Sequence, residues 1–495
     1  MKVNNERLKD NINTLEKSHD WPVGLVEKLS RFISDGNDYD LFRVNPLQFA
    51  DEHHISSSDG IDLFLWATKL NLFQMNWELL CPVCGDHIQS FRHLNTMHDK
   101  IFCSLCQCEQ TASLDDWIQV TFTVNPKIRA IKFHEPESLS IEDLIFEYHF
   151  TRGARIDKQL PFGGEEMVKV IKSLTKGAMF VEPSQKEVIE FDISEGMFKI
   201  YDFLNQNCRY LPVSSERPET EQNIDLRYVN NDFEIDQLQL NSGKVKFNLE
   251  NNSDRRSAFH FSFIPPDIVR RMSQNPDLTI VLDPYLDGKK LLTSQTFRDL
   301  FRSEVIQGNE GINVKDLTVL FTDLKGSTEL YDKVGDLKAF DLVNSHFESL
   351  TKVITKNSGA IVKTIGDAIM ATFANPLDAI KAATGIVEDL QEFNQSYGGE
   401  NIIIKIGVHK GSSIAVTLND RLDYFGQTVN MAARVQGLAD AEEIYITDSI
   451  YDVEEVQSEI NKYTVLPERT KLKGIEEEVN VYKVLIENVG TPAAV

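Results

Sequence analysis

No stretch of this chain approaches the roughly 18 consecutive apolar residues that a membrane-spanning helix requires, so no membrane insertion is expected. The opening Met1-Lys-Val-Asn-Asn-Glu6 lacks the apolar core of a signal peptide, and the expected location is the cytoplasm. Basic residues are in deficit: 51 Lys and Arg face 76 Asp and Glu, for a formal net charge of −25. That balance argues against nucleic acid as a partner and against docking on anionic membrane. Cysteine is scarce, with six in 495 residues. This excludes the dense disulfide framework of small secreted domains and fits a reducing compartment. No internal repeat is present.

What the chain does have is length, enough for about three or four domains, and a hydrophobic content of 41% that can fill sizeable cores. Residues 1–80 read as a helical, helix-turn-helix-like unit. Val23–Ile33 carries an amphipathic stripe, Asn45-Pro46 marks a helix boundary, and a further helix is predicted from Ser58. Over residues 1–110, 10 basic residues face 16 acidic ones, a net of −6, so packing rather than DNA binding is the expected use of that shape.

Four of the cysteines fall in two pairs, Cys81-Pro-Val-Cys84 and Cys103-Ser-Leu-Cys106, with 18 residues between them. Two such knuckles can close a tetrahedral Zn²⁺ site, so residues 81–116 are read as a zinc ribbon. Four thiolates leave no open position, which makes the zinc structural. A thiol redox pair is the alternative, but no strand–helix thioredoxin context surrounds it. Cys108, His87, His93 and His98 lie near enough in sequence to replace a ligand, but each reads as an ordinary surface or core residue. Cys208 stands alone and reads as buried packing.

From residue 117 to 293 the apolar period switches to two, as in Ile118–Val124, Lys244–Leu249 and Phe259–Phe263. This predicts a β-rich, sandwich-like domain, with Ser214–Asn223 as an exposed loop. Residues 294–314 carry Phe297, Leu300 and Phe301 ahead of Gly308 and Gly311, and form a linker or coupling segment. Residues 487–495 are expected to be a flexible tail.

In residues 315–486, strands near 317–322, 359–365, 368–373, 402–408 and 443–447 alternate with helices near 337–356, 377–396 and 427–438. The pattern predicts a mixed sheet of ferredoxin-like type with additions, within a multidomain α+β chain. Two of the strands run into carboxylates, in Leu317-Thr-Val-Leu-Phe-Thr-Asp323 and in Ala360-Ile-Val-Lys-Thr-Ile-Gly-Asp367. As neighbours, they would bring Asp323 and Asp367 to one sheet edge and make an oxygen-rich site for paired hard cations, Mg²⁺ or Mn²⁺. Asn430 and Arg434 are four apart in a run of helix formers, so an amide and a guanidinium share one helix face.

These motifs together resemble the catalytic domain of the class III nucleotide cyclases. The resemblance is carried by Phe321-Thr-Asp-Leu-Lys-Gly-Ser-Thr328, Lys363-Thr-Ile-Gly-Asp367 and Asp423-Tyr-Phe-Gly-Gln-Thr-Val-Asn430-Met-Ala-Ala-Arg434, with a last strand at Leu472-Lys-Gly-Ile475 and Val479-Asn-Val-Tyr482. It implies that Asp323, Asp367 and the carbonyl of Leu324 hold two metal ions. Main-chain amides of Lys325, Gly326, Ser327 and Thr328 would cradle the triphosphate, Asn430 would fix the ribose, and Arg434 would stabilise the transition-state phosphoryl oxygens. Lys363 and Asp423 stand at the family's adenine-reading positions, Lys donating to N1 and Asp accepting from the 6-amino group. Lys473 or Lys471 is the candidate for the triphosphate lysine.

In this family each active site is shared by two subunits, metal aspartates from one and Asn and Arg from the other. A single full set in one chain implies a homodimer. The expected function is therefore an adenylate cyclase making cyclic AMP from ATP, regulated through its N-terminal region by an unknown ligand or protein. The alternatives are cyclisation of GTP or a pyrimidine nucleotide, and a silent sensing protein whose cyclase-like domain only dimerises.

Overall fold

The computed structural model describes residues 3–94, 100–111, 113–159, 162–218, 221–230, 232–235, 239–274, 280–302, 304, 306, 311–397, 401–475 and 477–486. His98, Gly308 and the tail 487–495 lie outside the described residues, as does the side chain of Cys108.

The chain opens with four helices, Asn5–Ser18, Leu25–Asp35, Pro46–Glu52 and Ser57–Lys69. Their starts are set by side-chain caps: Asn4 accepts from the Arg7 amide, Asn45 from Leu47, and Ser56 from Asp59. Each such cap is worth about 1 kcal/mol. The helix expected from Ser58 thus begins one residue earlier, with Ser56 as its cap. Residues 73–80, grouped with the helices in the sequence reading, form a strand. Phe73-Gln-Met-Asn-Trp77 alternates buried and half-buried positions, and Phe73–Leu80 pairs antiparallel with both His87–Phe91 and Ile118–Val124.

Beyond this sheet the β-rich reading needs a second correction. Residues 143–149 and 167–174 are helical turns, because neither Asp143–His149 nor Met167–Leu174 has a period of two. From Thr175 onward two sheets follow, one of five strands and one of four, including Gly243–Asn251 and Ser257–Ile264. Phe198, Phe247, Phe259 and Phe261 fill the space between them. Each fully buried side chain of this size is worth about 1.5–3 kcal/mol.

The C-terminal unit is built on one sheet in which Gly359–Ile365, Ala368–Phe373, Ile312–Leu324, Ile404–Leu418, Glu443–Thr447, Glu478–Leu485 and Thr464–Lys471 follow one another, with Arg421–Phe425 paired to the far part of Ile404–Leu418. Helices Asp336–Lys356 and Pro376–Tyr397 cover one face through Leu350, Ile354, Ile380 and Ile386. The other face carries Val319, Phe321, Met370, Tyr424 and Ala432, and shares a continuous apolar core with the N-terminal region. Among the described residues, no helix is long and apolar enough to cross a membrane.

Candidate active site

Ile312–Leu324 lies between Ala368–Phe373 and Ile404–Leu418, antiparallel to both. Its central segment Leu317–Phe321 is buried on both faces and apolar but for Thr318, rather than alternating. Leu320 and Leu324 point into the helix-side core, and Val319 and Phe321 into the other. Asp323 shares the parity of Phe321 and so opens on that second face.

Asp367 reaches the same edge by a hairpin. Ile365 pairs with Ala368, so Gly366-Asp367 is a two-residue loop. Gly366 has a φ of 64°, the left-handed conformation that such a loop asks of its first residue. The register aligns Thr322 with Ile369. Asp323 is one residue beyond that pair on its strand and Asp367 two residues before it on the other.

Asp367 Oδ2 is buried and has no hydrogen-bond partner among the described residues. A buried carboxylate oxygen left uncompensated is costly, and a hard cation is its natural complement. Asp323, 32% exposed, has Lys405 directly opposite in register, with Nζ 3.4 Å from Oδ2. The donor set of Asp323, Asp367 and the Leu324 carbonyl is all oxygen, which fits Mg²⁺ or Mn²⁺.

Lys325-Gly326 turns the chain into the helix Ser327–Val334. Gly326 has a φ of 71°, and an added Cβ would meet only Glu329 Oε2 at 3.9 Å, so conformation rather than crowding requires the glycine. The Lys325 ammonium pairs with Asp440, and that contact draws the Asp440 carboxyl below its ordinary range. The Lys325 amide does not join the expected cradle, because it donates to the Ile403 carbonyl at 2.8 Å; the loop has the amides from Gly326 onward, rather than Lys325, to offer an anion.

Lys363 and Asp423, 60 residues apart in sequence, meet: Lys363 Nζ donates to Asp423 Oδ2 at 2.6 Å. A β-bulge at Val362 sets this up. Ile361 pairs with Ala371 while Lys363 pairs with Met370, and the extra residue turns Lys363 onto the Met370 face. Asp423 is anchored by its own neighbour, its Oδ1 accepting from the Tyr424 amide at 2.8 Å. A donor and an acceptor thus stand side by side.

Asn430 and Arg434 lie on the helix Gln427–Gln436, Asn430 exposed and Arg434 half-buried. The helix is seated on the strand Ile404–Leu418 by two glycines. A Cβ at Gly407 would sit 2.1 Å from Gln436 N, and one at Gly411 2.8 Å from Thr428 Oγ1. Only glycine permits that approach. At the other end of the site, Val479–Tyr482 of the expected last strand lies within Glu478–Leu485, whereas Leu472–Ile475 is instead a turn between Thr464–Lys471 and that strand. Gly474 in that turn has a φ of 73°, and a Cβ there would lie 3.3 Å from Arg434 Nη2. The turn carrying Lys473 therefore abuts the Arg434 guanidinium, whereas Lys471 ends the preceding strand.

The four cysteines also come together. Ligand atoms of Cys81, Cys84, Cys103 and Cys106 lie within 4.8 Å of one another, and Cys84 Sγ is 3.8 Å from Cys103 Sγ. Tetrahedral bonds of about 2.3 Å place sulfurs about 3.8 Å apart, so the cluster has the dimensions of a Cys₄ metal site. His87 does not join it: it is buried, with Nδ1 3.5 Å from Glu78 Oε2. His93 bonds Glu304 at 2.7 Å, and Cys208 is buried.

Lys405, Gly407, Gly411 and Gly474 escaped the sequence reading. Two glycines four apart in an otherwise apolar strand signal close approach of another backbone, and that cue was available. Lys405 had no such cue, because its importance rests on register with a strand some 80 residues away.

Two family models match the chain. Residues 312–486 match the adenylate and guanylate cyclase catalytic domain, and residues 6–299 match a family of unknown function (DUF5939). Similar proteins include the adenylate cyclase of Anabaena cylindrica, 31% identical over 199 residues, covering 36% of this chain and 39% of that protein. The receptor-type guanylate cyclase gcy-13 of Caenorhabditis elegans is 28% identical over 151 residues, covering 28% of this chain and 15% of that one. The solved adenylyl cyclase CyaB from P. aeruginosa is 23% identical with a TM-score of 0.33, covering 37% of this chain and all of that one. The chain thus spans well under half the length of these curated relatives. The chain belongs to the DUF5939 family, and its residues 312–486 are a class III adenylate/guanylate cyclase catalytic domain.

Proposed function

We propose that this protein is an adenylate cyclase that closes ATP to 3′,5′-cyclic AMP as a cytoplasmic homodimer. The ribose 3′-oxygen loses its proton and attacks the α-phosphorus, the bond from that phosphorus to the bridging oxygen breaks, and pyrophosphate departs. The observation that carries the base choice is the Lys363–Asp423 contact at 2.6 Å. It presents a donor beside an acceptor, matching N1 and the 6-amino group of adenine; guanine presents the reverse.

Asp323, Asp367 and the Leu324 carbonyl would hold two Mg²⁺ or Mn²⁺ ions, a reading supported by the orphaned Asp367 Oδ2. Bound there, the ions lower the 3′-hydroxyl pKa and offset charge on the entering and leaving oxygens. Amides of Gly326, Ser327 and Thr328 receive the triphosphate, and Lys473 is preferred over Lys471 as its lysine because its turn abuts Arg434. Arg434 stabilises the equatorial phosphoryl oxygens and Asn430 orients the ribose, each completing the partner subunit's metal site.

Cys81, Cys84, Cys103 and Cys106 would bind one structural Zn²⁺ that ties their two turns together. The N-terminal region would regulate the domain, and its cavity of about 980 Å³, lined by Tyr39, Arg43, Arg152 and Lys172, is where a ligand would be received.

Lys363→Glu combined with Asp423→Cys tests the base reading. The double variant is expected to lose most ATP turnover and to gain use of GTP, because the donor and acceptor are reversed. A variant that keeps its preference for ATP would sink the assignment.

A further inference from the structure

The base-reading pair is held from outside the catalytic domain. Gln295–Leu300 is a six-residue helix capped by Ser294, and all of it but Leu300 lies within the N-terminal family region, none of it in residues 312–486. Its residues divide by face. Phe297, fully buried, meets Trp77 edge-on at 6.3 Å and stacks on Phe301, while Lys69 donates to the Leu300 carbonyl at 2.8 Å. These contacts root the helix in the N-terminal core.

Gln295 and Arg298, three apart on the helix, turn the other way. Gln295 Oε1 accepts from the Ile361 amide at 2.8 Å. Gly359–Ile365 is the edge strand of its sheet, and Ile361 borders the bulge that directs Lys363. Arg298 Nη1 donates to the Leu422 carbonyl at 3.0 Å, immediately before Asp423. Its guanidinium carbon lies 5.6 Å from the Tyr424 ring centroid, immediately after Asp423. Arg298 is itself braced, its Nε donating to Leu292 O at 3.0 Å.

One short helix therefore satisfies a polar main-chain group on each of the two strands that Lys363 and Asp423 bridge. Edge strands leave such groups unpaired, and the atoms chosen here flank the two base-reading residues. We propose that Gln295 and Arg298 are positioning residues for nucleotide selection, so that the N-terminal family region sets the spacing of the Lys363–Asp423 pair. This rests on the base-reading role assigned to that pair. It gives a region of unknown function a physical task at the substrate: movement of the helix would change which nucleotide edge the pair fits.

The test uses the full chain and two readouts: binding of fluorescent ribose-modified ATP and GTP analogues, and initial rates with ATP and GTP. Arg298→Ala and Gln295→Ala are each expected to raise the ATP Kd and KM about 3–10-fold and to shrink the ATP:GTP preference by a similar factor, because an unpaired edge group lets its strand shift. Arg298→Lys keeps a donor and is expected to recover part of the preference. Arg302→Ala, whose ion pair among the described residues is with Asp299 at 4.0 Å on the exposed side, is expected to match wild type.

An unchanged preference in both alanine variants overturns the proposal, as does a fall in kcat with KM and preference intact, which is what simple loss of structure gives. If Arg298→Ala does not fold, Gln295→Ala decides alone. Wild type that binds neither nucleotide overturns both this proposal and the base reading. Selective binding without turnover contradicts only the catalytic step.

Discussion

Lys405 stands directly across the antiparallel pairing from Asp323, its Nζ 3.4 Å from Oδ2. A cation from the protein thus already occupies part of the field into which a divalent ion must come. Ion and ammonium compete for the same carboxylate, so their effects have opposite sign. Partly exposed pairs of this kind are worth about 0.2–1 kcal/mol. Lys405→Met is accordingly expected to lower the half-saturating Mn²⁺ concentration about 1.5–5-fold. A titration of activity against Mn²⁺ measures it, and a higher half-saturating concentration would mean that Lys405 assists the metal site.

Asp323→Ala and Asp367→Ala are each expected to abolish turnover, by at least about 100-fold, while leaving the fold and the dimer intact, since only the proposed metal site is lost. Mixing Asp367→Ala with Arg434→Ala subunits restores one complete site per hybrid dimer and should recover part of the activity. Verified hybrids that stay inactive would refute sites shared between subunits.

Substituting Cys81→Ser removes one of four clustered thiols and is expected to release the zinc and unfold the turns it joins. Metal binding at such sites is folding energy, with apparent values of about 10–16 kcal/mol in small zinc-bound peptides. Elemental analysis of the full-length wild type should give one Zn²⁺ per chain. A value near zero in reduced protein contradicts the site.

Burial pushes His346 and His409 down to about 4, below the 6.5 of an unfolded chain. Between those values the unfolded chain binds protons that the folded one refuses. Stability contributed by neutral histidine is thus fully present above about pH 6.5 and lost as pH falls toward 4, at up to about 1.4 kcal/mol per pH unit for each group. His346 Nε2 is buried with no hydrogen-bond partner among the described residues, and the ring faces Phe393 at 6.0 Å. Replacing it by Leu is expected to flatten the decline in urea midpoint between about pH 7 and pH 5. Identical slopes in variant and wild type would count against this origin.

Much of the catalytic unit was legible because its chemistry is written in local motifs. Asp323 and Asp367 each end an apolar strand, and Asn430 and Arg434 have helical spacing; the structure has those strands and that helix, but the two strands are not the neighbours expected, since Ala368–Phe373 lies between them and its hairpin with Gly359–Ile365 is what brings Asp367 to the edge. Thr464–Lys471 left no such trace, since it is an edge strand with most side chains exposed, and so the turn at Leu472–Ile475 was read as strand. Phe73–Leu80 was grouped with the helices because it follows one closely. Its partner strand Ile118–Val124 is distant in sequence, and the pairing that stabilises it has no local signature. Lys405, Gln295 and Arg298 act through register and contacts across long separations, which periodicity cannot report.

The central claim is tested most directly by incubating the purified full-length protein with ATP, GTP, CTP and UTP separately, in Mg²⁺ or Mn²⁺, and identifying cyclic products by mass spectrometry. The account predicts 3′,5′-cyclic AMP and pyrophosphate from ATP, with ATP used at least about tenfold better than any other nucleotide. Preferred use of GTP or a pyrimidine nucleotide would contradict the base-reading pair, and the absence of any cyclic product would contradict the enzyme.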